Sequence, residues 1–406
     1  MLKKGSILLL AFMLLLTGCS SQASLVRDAV VKTMDNPNYD SQGTLKIVGD
    51  FQKVADLTGE ALDPEAKSII SALQSGVTIE GSTKDLQTGK VVLTLNDDKI
   101  LRDHNLWTGD KKATMEFLVN KENLYLKSGL DNKYLSLNTG TVPPDAKFDP
   151  VKLKEMQEKI QNLTLSFMKK YIAQYGYKLN NVTNHGKETV QLPNGEKVDT
   201  THLTITLDAK EIMNMLLFTA KDATVNKEVR SFAVDMILLI NQYADPQEKM
   251  LKPGIDERKQ AELMVDAGML AAKDEIANFE KTNSIDKLLA DAKKEGLEGV
   301  NFTFDYYISA DKLPVESNAK LLVTVKDPEG KIKEPFTFGF ETTSFSWNWG
   351  KATSFSFPTA DQVVTVQQLE KDPNAIKAFN EKGFFYQLMK KEQEDKKMNG
   401  ESLLLQ

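Results

Sequence analysis

The sequence is poor in the residues that carry covalent and metal chemistry. Cysteine occurs once in 406 residues, at position 19. One thiol supplies neither a disulfide, nor a C-x-x-C redox pair, nor a zinc-binding spacing, so the core must hold without cross-links. Histidine occurs three times. His104 in "RDHNLW" and His185 in "TNHGK" lie in turn-like sequence, and His202 shares a strand face with Thr200, Thr204 and Thr206. None has a second histidine at ligand spacing, and no H-E-x-x-H is present, which leaves ordinary surface or hydrogen-bonded histidines and no metal site. Walker, G-x-G-x-x-G and G-x-S-x-G loops are also missing, so no cofactor is implied. S-x-x-K occurs at Ser166–Lys169, Ser284–Lys287, Ser309–Lys312 and Ser317–Lys320. The imitations of its partner motifs, "KSG" (127–129) and "SLN" (136–138), precede all of these, the reverse of the order in penicilloyl-serine enzymes. A cell-wall hydrolase would need an acid, base or nucleophile set, and none assembles.

Long apolar runs are equally scarce. "FAVDMILLI" (232–240) is short and carries Asp235. The remaining run, Gly5–Leu16, falls well below the roughly 20 residues a membrane-spanning helix needs. It follows Lys3 and Lys4 and reads as the core of a signal peptide behind a positive n-region. "LTGC" (16–19) comes next and resembles the lipobox of bacterial lipoproteins. That resemblance implies cleavage between Gly18 and Cys19, a diacylglyceryl group on the Cys19 thiol with palmitate among its acyl chains, and a lipid-anchored place on the extracytoplasmic face of the cell membrane. Two acyl chains hold a protein lastingly where one does so marginally. The short tether 19–24 ("SSQAS" after the cysteine) spans at most roughly 20 Å, so the folded body is expected close to the membrane.

Basic charge is not in excess. Removing residues 1–18 takes Lys3 and Lys4 and moves the formal net charge from −6 to −8. An acidic body is repelled by nucleic acid and by anionic lipid, and no basic patch is interleaved with aromatics, so no nucleic-acid partner is expected. With 41% hydrophobic and 27% charged residues the composition is globular.

The body reads as α+β: a large curved antiparallel β-sheet, half-barrel-like, packed on long helices. "SLVRDAVVKTM" (24–34) has helical spacing. Asp63-Pro64, Asp149-Pro150, Asp245-Pro246 and Asp372-Pro373 mark helix starts, because Asp suits the N-cap and Pro the N1 position. The helix after Asp149 repeats Leu153, Met156, Ile160, Leu163 and Phe167 and is expected to stop at Gly176. Hairpins are expected at Asn194-Gly195 as a type I′ turn, at Gly89, and through Asn120–Asn123. Val300, Phe302, Phe304, Tyr306 and Ile308 alternate as a strand. From about 208 to 296 the pattern is helical throughout, which predicts three or four inserted helices. Phe336, Phe338 and Phe340 fall on even numbers but Phe345, Trp347 and Trp349 on odd ones, so a bulge is expected at Thr342–Ser344. Residues 25–148 form a first sheet-and-helix lobe and 149–395 a second, as separate lobes or as halves of one sheet; 396–406 should fray.

The aromatic strands allow two readings. The plain one is a sheet face packed on helices. The functional one is an apolar pocket, concave and mostly hydrophobic, lined by Phe302, Phe304, Tyr306, Phe338, Phe340, Trp347 and Trp349. The closing pieces "YYISADKLPVESNAKLLVTV" and "SFSWNWGKATSFSFPTADQVV" resemble the last strands of LolA-like and LppX-like half-barrel lipoproteins. In that family a curved sheet wraps around helices, several members carry lipid or acyl chains, and there are no catalytic residues. The resemblance implies a non-enzymatic binding or carrier module for an apolar or lipid ligand, with a membrane-bound protein as a further partner. The alternative is an envelope scaffold or protein-interaction lipoprotein without a small-molecule ligand. Replacing Cys19 with Ser is expected to abolish metabolic labelling with palmitate and to move the protein out of the membrane fraction. Retention of label by C19S would refute the anchor.

Overall fold

The computed structural model describes residues 21–58, 62–120, 123–138, 150–244, 249–252, 254–330, 332 and 334–399. Gly18 and Cys19, Asp149, Asp245-Pro246 and the end of the tail from 400 lie outside them. The first half supplies α1 (Ser21–Asp35), β1 (Tyr39–Gly49), α2 (Phe51–Thr58), α3 (Pro64–Ser75), β2 (Val77–Asp85), β3 (Thr88–Leu95), α4 (Lys99–Asp103), β4 (Thr114–Val119), β5 (Asn123–Ser128) and β6 (Tyr134–Asn138). Then come α5 (Pro150–Gln174), the hairpin β7 (Val182–Gln191) and β8 (Lys197–Asp208), and four helices: α6 (Ala209–Ala223), α7 (Lys227–Tyr243), α8 (Glu257–Thr282) and α9 (Ile285–Lys294). The chain closes with β9 (Leu297–Ser309), β10 (Pro314–Val325), β11 (Phe336–Trp347), β12 (Val363–Thr365), α10 (Val366–Lys371), a 3-10 turn (Pro373–Ala378) and α11 (Phe384–Asn399).

All the described strands join one 12-stranded sheet in the order β12-β6-β5-β4-β3-β2-β1-β11-β10-β9-β8-β7. It is curved and unclosed, antiparallel except for the β12–β6 pair, and packed on helices. The two sequence halves meet where β1 pairs with β11, from Asp40 opposite Trp347 to Gly49 opposite Phe338. Here the backbones approach so closely that a Cβ on Gly43 would overlap the Thr343 carbonyl of β11, and on the other side of β11 a Cβ on Gly339 would overlap the Leu321 carbonyl of β10. The inserted helices lie in chain order between the paired strands β8 and β9, each started by a side-chain cap: Asp208 accepts from Glu211 N at 2.7 Å, Asn226 from Glu228 N at 2.9 Å, and Asp256 and Ser284 from Lys259 N and Lys287 N, both at 3.1 Å. The Ser284–Lys287 instance of S-x-x-K is thus helix-capping geometry.

The main core lies where α1, α5 and α6 cover β8 and β9. Val26, Ala29, Tyr171, Tyr175 and Met215 pack there on Leu203, Ile205, Leu207, Phe302, Phe304 and Ile308. Paired residues share a face, so the registers carry this helix-covered inner face across the sheet through even positions of β9 and β11 and odd positions of β10, β1, β2, β3 and β4.

Several local expectations change. β11 holds one register against both neighbours, with no bulge at Thr342–Ser344. The aromatics switch parity because their cover switches face. Phe336 and Phe338 lie on the inner face, whereas Phe345 and Trp347 join an outer-face cluster with Val190, Leu192 and Val315. The Asn194-Gly195 turn is not type I′, since only Gly195 has positive φ, at 88°. Pro193 fixes a negative φ at the first turn position, and the chain closes as Gly195 N to Leu192 O at 2.9 Å. The first hairpin turns at Leu86-Gln87, before Gly89, because the Asp85 carboxylate accepts from Gln87 N at 2.8 Å. Asp372-Pro373 opens a 3-10 turn instead of an α-helix, and His185 is the bulged residue of β7. The tether shortens because Ser21–Ser24 belong to α1.

Gly339→Ala should destabilise the fold by about 3 kcal/mol, since overpacking against backbone has nowhere to relax. Gly268→Ala, mid-helix with nothing within 4 Å of its added Cβ, should stabilise by about 0.5–1 kcal/mol. Denaturant titration of both variants checks the pair.

Candidate functional site

The seven aromatics expected to line a pocket are not brought together. Phe302, Phe304 and Tyr306, 4%, 2% and 8% exposed, are sealed in the main core. Phe338 and Phe340 are half-buried on the inner face nearer the middle of the sheet. Trp347 is on the outer face, and Trp349 stacks beyond the strand end on Tyr39, ring centroids 4.4 Å apart. An uninterrupted strand sends alternate residues to opposite faces, so no pocket can use both Phe338 and Trp347.

What the sheet does present is an apolar inner face left half open. Next to Phe338 and Phe340 it continues through Leu45 and Ile47, Val77 and Ile79, Val91 and Leu93, and Phe117. All of these are half-buried except Leu45, which is 38% exposed. On one flank the face is filled by the core helices. On the other, Met115, Leu126 and Leu135, with Val364 beside Leu135 in the sheet, pack against Phe379 and Phe385 near the C-terminus. Between the flanks, α2 and α3 lie over the edge. Phe51 meets Phe338 at 6.4 Å, Ala55 and Ala72 are buried, and Gln74 Nε2 donates to Gly49 O at 2.9 Å. From β11 to β4 this stretch is about 19 Å wide at the usual strand spacing. Its alternating sequence is ordinary strand sequence, so only the register shows it to be continuous.

The outer face carries a feature with no periodic signal at all. After β11, residues 348–362 run back across β1 to β5 as a strap and deliver β12 to the far edge of β6. Asp40, buried in β1, clasps it. The carboxylate accepts from Asn348 Nδ2 at 2.8 Å, Thr353 N at 2.9 Å and Thr353 Oγ1 at 2.8 Å, and from Ser82 Oγ at 2.6 Å. Lys84 reaches Phe355 O at 2.8 Å and lies 4.3 Å from that ring, and Phe357 meets Tyr125 at 6.1 Å. Between the strap and the β7–β8 turn opens a cleft of about 420 Å³ lined by Asp40, Gln42, Glu80, Lys90, Trp347 and Phe355, with Pro193 and Asn194 at its rim. Its charged groups are already engaged: Gln42 donates to Glu80 at 3.2 Å and Lys90 pairs with Glu116 at 3.0 Å.

His202 stacks between His185 (4.3 Å) and Tyr307 (4.2 Å), with its ring nitrogens 3.0 Å from Glu188 and 3.3 Å from Asp305. His104 caps the C-terminal end of α4. Among the described residues no group of three or more His, Cys, Asp or Glu stands where it could hold a metal ion, and no helix is long and apolar enough to cross a membrane. No protein-family model matches the chain, and no curated protein matches it.

Burial pushes the Asp40 carboxyl up, but the hydrogen bonds from Ser82, Asn348 and Thr353 outweigh it and hold the group below the ordinary carboxylate range. A depressed folded value stabilises above the unfolded value of about 3.9, and that contribution is lost as pH falls from there through the folded value. Asp40→Ala, which leaves the strap's donors unmatched, should cost roughly 1–3 kcal/mol at neutral pH. The stability gap between wild type and Asp40→Asn should narrow below about pH 4, as read from thermal melts across pH.

Proposed function

We propose that the protein is a membrane-anchored extracytoplasmic lipoprotein, held through Cys19, that acts without catalysis as a binding or carrier module for an apolar or lipid ligand. The supporting observation is the half-open apolar inner face between β11 and β4. Apolar surface in a soluble body is favourable to cover, and a strip about 19 Å wide, flanked by filled core on both sides, suits an acyl chain better than a polar ligand. The start of α1 at Ser21, two residues past Cys19, supports a body held close to the bilayer from which such a ligand would come. The half-barrel resemblance of the closing strands agrees with this reading. The inserted helices narrow it, because the β8–β9 part of the face is occupied by Met215 and its neighbours, which leaves only the first half of the sheet for a ligand.

The filled core over β8 and β9 favours the second reading, an envelope scaffold or protein-interaction lipoprotein without a small-molecule ligand. Native mass spectrometry of residues 20–406, followed by organic-solvent extraction, separates the two. The carrier reading expects one lipid or apolar molecule per chain, lost when Leu45 and Val77 are both replaced by Asp. Bare chains with nothing extractable would sink the carrier reading and leave the scaffold.

A further inference from the structure

Helix α8 turns one face to the body and an unpartnered face to solvent. Ala261 and Val265 are buried, with Met269 beside them, against Val234, Ile237 and Leu238 of α7. The opposite side, at 100° per residue, carries Lys259, Leu263, Ala267, Leu270 and Asp274. Leu263 is 71% exposed and Leu270 is 60% exposed. Single exposed leucines are ordinary. Two of them seven residues apart, with a small residue between and a charge of opposite sign at each end, make a short seam of the kind helices use to pair.

We propose that this seam pairs two copies of the chain through an antiparallel, two-fold contact of α8 with α8. A two-fold axis between positions 266 and 267 sets Leu263 against Leu270 of the second copy and Leu270 against its Leu263. It also sets Lys259 against the second copy's Asp274 at one end, and Asp274 against its Lys259 at the other. The surface is therefore complementary to itself, as an isologous interface requires. A parallel pairing would place Lys259 beside Lys259 and Asp274 beside Asp274, which like-charge repulsion disfavours. Ala267 at the crossing lets the axes approach to the usual 8–10 Å of packed helices, roughly.

The charges of the seam are also the spare ones. Asp266 is committed to Arg230 of α7 at 2.6 and 2.9 Å, and Arg258 to Asp235 at 3.3 Å. Among the described residues Lys259, by contrast, has only a 3.9 Å pairing with Asp256, and its side chain is 78% exposed. Among the described residues no salt bridge engages Asp274. A helix of 26 residues is about 39 Å long. A pair over its middle turns stays at or below the low end of stable interfaces, near about 1,000 Å², so the dimer should be weak and reversible.

Sedimentation equilibrium of the full chain in density-matched detergent tests this, with folding of every variant checked by thermal melts. The wild type should show a reversible monomer–dimer equilibrium. Lys259→Glu and Asp274→Lys should each weaken it by about tenfold or more, by setting like charges face to face. The double variant K259E/D274K restores opposite signs and should recover the wild-type constant. A monomeric wild type, unchanged single variants, or a double variant that fails to recover would each overturn the proposal. So would a monomer whose α8 instead binds phosphatidylglycerol vesicles and releases them on Leu263→Lys, which would give the face to a membrane.

Discussion

The pairing of β1 with β11 is the contact on which the rest of the molecule depends. It joins residue 40 to residue 347, places an early strand in the middle of the sheet, and turns two sets of hairpins into one curved surface. It sets the inner face, because the register decides which side chains of the first half continue the core of the second. It also sets the strap, because Asp40 can clasp Thr353 only after Trp347 has come to lie beside it. Loop-closure entropy for a contact of this separation must be met before the ladder gives anything back. The close backbone approach at Gly43 and Gly49, where an added Cβ would meet the Thr343 and Thr337 carbonyls of β11, leaves the seam little freedom once made.

The two halves of the inner face have different fates from similar material. Both carry alternating apolar strands. Over β8 and β9 the cover is dense, since α1, α5 and the inserted α6 bring tyrosines and a methionine onto the sheet. Over β11 to β4 the described cover is the short pair α2 and α3, whose own apolar residues Ile69 and Leu73 remain 44% and 39% exposed. The insertion that completes one half does not reach the other. This division is what confines an apolar ligand, in the proposed function, to the first half of the sheet.

Much of the architecture is legible in the sequence where it is written locally. The alternation from Val300 to Ile308 survives as β9 because its even residues enter the core and its odd ones do not. The insertion is readable because its helices carry their own N-caps and period. Long-range pairing leaves no such trace. Nothing local announces that β1 borders β11, or that Asn348 and Thr353 return to Asp40. The parity change in β11 is a true signal with a misassigned cause: a bulge and a change of cover produce the same pattern of Phe338 and Trp347, and only the neighbouring strands distinguish them. The pocket expected from seven aromatics failed because Trp347 lies on the opposite face and Phe302, Phe304 and Tyr306 are sealed in the core, while the face that stays open is built largely from aliphatic residues too ordinary to stand out.

An unclosed sheet of this size has raw edges, and edges recruit strands from other molecules. The β7 edge is a poor template for that. Its ladder is broken at His185, between Asn184 and Gly186, and its exposed positions carry Lys187, Glu188 and Thr189. At the other edge β12 offers only three residues before α10 begins. The half barrel can therefore remain open for its own purposes without adding chains end on end into a fibre.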